Sequence, residues 1–165
     1  MASQTTVKVI GIGNPIAGDD AVGTHVIRRL LKHQMPGIEM IDAGSAGLSI
    51  LNLLEGTAKA IIIDAFQSGR DEGQIIRLTM PKDLDHISNL AWNSAMASTH
   101  LIGLGEALLM GQVLGSLPPD LVIYGIELCR TETGSGLSVN VARAIEAVTI
   151  RIVQELEQGT CMNFK

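Results

Sequence analysis

Short runs of consecutive apolar residues alternate along this chain with longer stretches in which apolar residues recur every three to four positions. Val7–Gly11 reads as a short buried strand followed by a glycine-rich turn. From Asp19 to about His33 the period becomes helical: Val22, Val26 and Leu30 recur at four-residue spacing, with Ile27 and Leu31 beside them. Arg28, Arg29 and Lys32 fall outside that stripe, and Lys32 with His33 suits the C-terminal end of a helix dipole. Pro36-Gly37 marks the stop. Ile38–Asp42 reads as a second strand, and Ser45 is placed to cap a short helix through Leu54, apolar at Leu48, Leu51 and Leu54.

Ala58–Ile63 is the clearest buried strand and ends at Asp64. Gln74–Leu78 follows too soon for a crossover helix, which predicts an antiparallel neighbour. Thr99–Leu114 reads as a helix and Leu121–Ile126 as a strand. Ser138–Leu156 reads as a closing helix with its stripe at Val141, Ile145, Val148, Ile152 and Leu156. Strands alternating with helices predict an α/β three-layer sandwich. Its sheet has about five strands, mostly parallel and twisted, with helices on both faces and one antiparallel strand. No repeat, low-complexity stretch or linker divides residues 1–165, so one domain is expected.

Composition narrows the function. With 46% apolar and 18% charged residues the chain is ordinary for a compact fold, and disorder is excluded. A net charge of −5 with one Trp, one Tyr and two Phe offers neither a phosphate footprint nor a stacking platform, so nucleic acid is not an expected partner. No apolar run approaches the roughly 20 residues of a membrane span. Met1–Val7 carries no basic n-region or cleavage site, and Cys129 and Cys161 form no metal or redox spacing. Cytoplasmic residence is the expectation.

Gly11-Ile12-Gly13-Asn14-Pro15-Ile16 begins like a dinucleotide fingerprint but places Ile16 where the third glycine belongs. Asp19 and Asp20 then occupy a helix start that a pyrophosphate would need free. Nucleotide binding is therefore set aside. The acidic pair has a structural reading, as caps and dipole partners of the helix. It also has a functional one, as a carboxylate projecting from the sheet's carboxyl edge, where open α/β folds place their sites. One of the pair can cap while the other points into the cleft.

Asp64 ends an apolar strand, where a carboxylate is costly unless paired, hydrogen-bonded or bound to a cation. The alternative is an Asp that opens a turn and bonds to backbone. His100 stands near the start of a helix with Ser98 or Thr99 as caps; a neutral imidazole ligand fits there, and so does a satisfied, partly buried histidine. His25, His33 and His86 lie on a helix, at its solvated end and in a polar loop. Asp20, Asp64 and His100 together make an oxygen, oxygen, nitrogen set suited to a divalent transition ion and metal-assisted hydrolysis, provided the topology brings them together.

Those residues also carry a family resemblance over nearly the whole chain. Gly11 through Gly23 is similar to the GxGN…DxxxG opening of the hydrogenase maturation endopeptidases, with an acidic residue at position 20. Asp42-Ala43-Gly44-Ser45-Ala46-Gly47 resembles their DGGTxG-like second loop, with Ala43 and Ser45 replacing glycine and threonine. Ile61–Ala65 resembles their central strand and its aspartate. Ser98-Thr99-His100 with Leu101, Gly103 and Leu104 resembles their histidine segment, and Gly125-Ile126-Glu127 with Gly136-Leu137-Ser138 their late motifs.

The resemblance implies an endopeptidase that trims the C-terminal extension from the large-subunit precursor of a nickel-iron hydrogenase, after a basic residue beyond the last cysteine motif. It implies that Asp20, Asp64 and His100 bind nickel already mounted in the precursor and serve as the catalytic set, with no separate nucleophile. Gly13, Asn14, Asp19, Asp42, Gly44 and Ser45 form its supporting loops. Carboxylate and imidazole do not by themselves select nickel, so selectivity falls to the preloaded substrate site.

Two other readings stand beside it. A peptidyl-tRNA hydrolase shares the GxGNP opening, but Ile16 follows here and the Thr-Arg-His-Asn segment of that family is lacking. A noncatalytic nickel-recognising chaperone of the same precursor would use the same residues without cutting. A protein substrate predicts an open groove at the sheet's carboxyl edge with exposed Leu, Met or Ile side chains around it.

Overall fold

The apolar run at the centre of the chain, Lys59–Phe66, is the middle strand β3 of a five-stranded sheet. The computed structural model describes residues 6–87, 99–129 and 132–161, apart from the side chains of 99–102, 160 and 161. The other strands are β1 (Val7–Ile12), β2 (Ile38–Gly44), β4 (Ile75–Met80) and β5 (Asp120–Glu127), in the order β2-β1-β3-β5-β4. β2, β1, β3 and β5 run parallel, with Val9 opposite Ile61 and Asp64 opposite Gly125. β4 is antiparallel, as its short connection predicts, but its partner is β5. The later strand inserts between β3 and β4, a choice that loop length leaves open.

The inner strands show no apolar alternation because both of their faces are covered. Val9, Ile61, Ile63, Val122 and Tyr124 pack on one side against helix α1 (Val22–Leu30) and helix α4 (Val139–Cys161). Ile10, Ile62, Leu121 and Ile123 pack on the other against α2 (Ile50–Leu54) and α3 (Thr99–Leu114). The three-layer α/β architecture is as predicted. Each fully buried Ile or Leu in these layers contributes roughly 1.5–3 kcal/mol, and Ile62→Ala would cost about 2–5 kcal/mol by opening a cavity.

Local departures have local causes. The stretch predicted as one helix from Asp19 to His33 is a 3-10 turn (Gly18–Ala21), α1, and a second 3-10 turn (Leu31–His33) that ends at Gln34 in a left-handed conformation, φ 46°. Leu31 is accordingly off the core stripe and exposed. Ser45 caps nothing: a 3-10 turn (Gly47–Ser49) leads into α2, and neither start has a side-chain cap. β3 continues two residues beyond Asp64, so that carboxylate sits within the strand and opens no turn. All five stripe residues of α4 are buried.

Candidate active site

Because β1, β2, β3 and β5 are parallel, the loops that follow them gather at one edge of the sheet. The glycines of the opening motif set how closely they gather. A Cβ on Gly23 would lie 2.8 Å from the carbonyl oxygen of Ile63 and closer still to Ile12. A Cβ on Gly11 would lie 2.7 Å from Ile27 Cγ1 and would collide with the backbone of Gly23. Bare backbone at both places lets α1 rest directly on β1 and β3. Gly13, at φ 151°, packs against the carbonyl of Asp20 in a conformation that side chains resist.

This packing delivers Asp20, on the turn before α1, to the edge where Asp64 stands. Both are buried, at 3% and 1% exposure. Asp64 shares a sheet face with Ile62 and lines a narrow, otherwise apolar pocket with Phe66, Ile76, Leu78, Leu104 and Gly125. Gly125 is directly opposite it on β5, and a side chain there would collide with the Phe66 ring. Burial pushes the Asp64 carboxyl well above its ordinary range, and the charge of Asp20 pushes it further. Among the described residues neither Asp64 oxygen has a side-chain hydrogen-bonding partner. The adjacent Ala65 amide lowers the pKa but is outweighed. Asp20 accepts a bond from the Asn14 backbone N–H at 3.3 Å.

The remaining acidic residues at this edge are structural. Asp19, fully buried, accepts the backbone N–H groups of Ser138 at 2.7 Å and Cys129 at 3.0 Å, so it joins distant segments and caps no helix. Asp42 accepts from the Thr24 hydroxyl at 2.9 Å and the Gly44 N–H at 3.3 Å, while Gly44 itself accepts from Gly13 N–H at 2.9 Å. Asn14 closes its own turn by accepting from Ile16 N–H at 3.2 Å. Ser45 is exposed and in the turn region after β2. Glu127, not singled out as a site residue from sequence, is 2% exposed and takes bonds from Ser68 N–H at 2.8 Å, Ser68 Oγ at 2.7 Å and Gly69 N–H at 3.0 Å. The signal was available: like Asp64, it is a carboxylate closing an apolar run.

His100 lies in the first turn of α3, and its side chain and Ser98 fall outside the described residues. The backbone does place this turn. Gly103 packs against Gly47, with 3.2 Å from a Cβ position to Gly47 Cα, and Leu104 lines the Asp64 pocket. The start of α3 is therefore at the same edge as Asp20 and Asp64. Of the other histidines, His25 is half-buried, and burial first and then Arg28 and Arg29 lower its pKa; His86 is exposed. Among the described residues no three His, Cys, Asp or Glu side chains gather as a metal site. A second groove opens between Pro15, Ile16, Ala21 and His25 on one side and Gly136 and Leu137 on the other.

A family model described as hydrogenase maturation protease matches residues 24–155. The chain belongs to that family. Its enzyme class is accordingly the peptidase expected from the sequence. Among curated proteins it is 27% identical over 153 residues to the hydrogenase expression/formation protein HupD of Rhodobacter capsulatus, covering 91% of this chain and 70% of that one. Among solved structures, a hydrogenase 2 maturation peptidase from a Thaumarchaeota archaeon is 27% identical with a TM-score of 0.67, covering 91% of this chain and 97% of that one. The hydrogenase maturating endopeptidase HybD from Escherichia coli shares the fold, with a TM-score of 0.78 at 24% identity over 93% of both chains. No described helix of this family member is long and apolar enough to cross a membrane.

For a maturation protease, two buried carboxylates side by side are chemically informative. Without a proton or a cation between them they repel each other in a poorly solvated place.

Proposed function

We propose that this protein removes the C-terminal extension of a nickel-iron hydrogenase large-subunit precursor, that it does so in the cytoplasm, and that it recognises nickel already inserted in that precursor. Asp20 and Asp64, with His100 from the start of α3, are the residues that meet the metal. The observation that carries the reading is Asp64: a fully buried carboxylate without a side-chain hydrogen-bonding partner among the described residues, pushed toward its protonated form by burial and by Asp20. A divalent ion brought in by the substrate removes both penalties at once, because a nearby positive charge favours the ionised form of each acid.

The nickel here is cargo of the substrate. Carried by the precursor's own ligands, it arrives only when loading is complete, and an unloaded precursor offers the carboxylates nothing to bind. Hydrolysis then adds the oxygen of a water to the scissile carbonyl carbon, breaks the C–N bond and hands a proton to the departing amine. A metal at the site supplies Lewis-acid polarisation or water activation. The loops after β1 and β2 hold exposed Ile16 and Leu48, at 63% and 52% exposure, as apolar contacts for a protein substrate.

The test is incubation with a nickel-loaded, unprocessed large subunit, reading the C-terminus by intact mass, with Asp20→Ala, Asp64→Ala and His100→Ala alongside. One cut that needs nickel and all three residues is the expected result. Cleavage of a nickel-free precursor overturns nickel recognition; nickel-dependent binding without a cut replaces the protease by a chaperone.

A further inference from the structure

The two ends of the β5–α4 connection are held by one carboxylate. Asp19 accepts the N–H of Ser138, one residue before α4, at 2.7 Å and the N–H of Cys129, two residues after β5, at 3.0 Å. These partners lie 119 and 110 residues further along the chain. Asp19 is completely buried and immediately precedes Asp20. The same connection returns to the first loop through Gly134 N–H, which bonds the carbonyl of Ile16 at 3.0 Å.

Resting on the proposed function, we infer that Asp19 is a positioning residue of the cleavage reaction: its carboxylate locks the Asp20 turn to the β5–α4 connection and so fixes where the Asp20 carboxylate meets the substrate. The physical argument is one of freedom. The turn Gly18–Ala21 has no side-chain cap, opens on Gly18 at φ 52° and follows a loop that begins at Gly13, φ 151°. Such a segment is readily displaced unless something ties it down. A buried carboxylate taking two backbone donors is a strong tie, because losing it leaves those N–H groups without their acceptor. The tie is also short, since only one peptide unit separates it from Asp20. Misplacing a reacting group by about 1 Å can cost about a hundredfold in rate, and Asp20 is the group that Asp19 would let drift.

Asp19 touches no substrate in this scheme, so its loss acts only through Asp20, on docking of the loaded precursor and on the cleavage step together, and is read in kcat/KM. The experiment compares wild type, Asp19→Asn, Asp19→Ala and Asp19→Glu. Ser138→Ala, which keeps the donating backbone N–H, and Glu155→Gln, which loosens a network far from this edge, serve as controls. Cleavage of the nickel-loaded precursor is measured at 10 °C, where circular dichroism establishes that each variant is folded, and amide hydrogen exchange reports whether Cys129 and Ser138 remain protected. In Asp19→Asn or Asp19→Ala, loss of protection with kcat/KM at least tenfold down and both controls within threefold of wild type is expected. Asp19→Glu, which restores the carboxylate, is expected to recover part of kcat/KM. Loss of protection with wild-type kcat/KM overturns the inference, as does an equal loss of kcat/KM in Glu155→Gln. A wild type that makes no cut overturns the proposed function itself, a result distinct from either.

Discussion

Asp20 and Asp64 come from segments more than forty positions apart, yet the charge of one acts directly on the carboxyl of the other. Bare backbone at Gly11 and Gly23 makes this possible by seating α1 on β1 and β3. The outcome is a buried carboxyl, Asp64, whose charged form is disfavoured by burial and by its neighbour.

That penalty is measurable as stability. Burial, then Asp20, raise the folded-state pKa of Asp64 above its unfolded value. Such a group contributes stability that is fully present below the unfolded pKa, about 3.9, and is lost as pH rises through the folded pKa. Asp64→Asn removes the loss. Thermal unfolding of the metal-free protein from pH 4 to 8 should show wild type and variant together at the acid end. The variant should rise above wild type by several degrees toward pH 8, since about 1 kcal/mol moves Tm by roughly 2–4 °C at this size. Equal Tm values at pH 8 would mean that Asp64 is not held in a charge-averse place.

Glu155 makes the opposite case, away from the site. Burial alone would raise its carboxyl, but bonds from Arg77 (2.7 and 3.1 Å) and Tyr124 Oη (2.8 Å), with Lys59 at 3.7 Å, outweigh it and hold the pKa below its ordinary value. This stability is present above the unfolded pKa and lost as pH falls through the folded one. Glu155→Gln should cost roughly 1–2 kcal/mol at pH 7, after discounting the half-exposed Arg77 end for solvent screening. In urea unfolding its penalty should shrink below pH 4, and precursor cleavage should be unaffected.

The same network can be read through Tyr124, the only tyrosine of the chain. Burial first, and then Glu155, push its hydroxyl up to about 12. Absorbance at 295 nm should therefore stay flat through pH 10 in the folded protein, and Glu155→Gln should bring the transition down toward 10. A wild-type transition near 10 in folded protein would contradict the burial and charge described here.

Gly23→Ala tests the close approach that builds the site. The added Cβ meets the backbone of Ile12 and Ile63 with nothing flexible to move aside. Overpacking usually costs about 1–3 kcal/mol, and a clash with two strands belongs at or above the top of that range. Gly103→Ala, facing Gly47 at 3.2 Å, should cost less. A Gly23→Ala variant with wild-type Tm would show that α1 can lift from the sheet.

Docking should depend on Ile16 and Leu48, which are exposed and hold up nothing in the core. Ile16→Ser with Leu48→Ser should raise KM for the precursor about tenfold, the worth of roughly 1.4 kcal/mol, while stability changes by no more than about 0.5 kcal/mol. An unchanged KM would move the docking surface elsewhere.

The apolar pattern is enough to lay out the elements. Ala58–Ile63 and Leu121–Ile126 read as buried strands because an inner parallel strand is covered on both faces, and α4 reads as a helix because one stripe of it is covered. The pattern also marks Asp64, an acid at the end of an apolar run, and Asp20, an acid at a helix start on the sheet's carboxyl edge, as candidates. That β5 separates β3 from β4 emerges first in the packed fold, because strand order is fixed by which apolar faces fit together and local pattern carries no trace of it. The same is true of the two neighbouring aspartates at positions 19 and 20. Their identical chemistry hides different surroundings: backbone donors from more than a hundred residues away for Asp19, and the nearby Asn14 N–H together with the Asp64 carboxyl for Asp20.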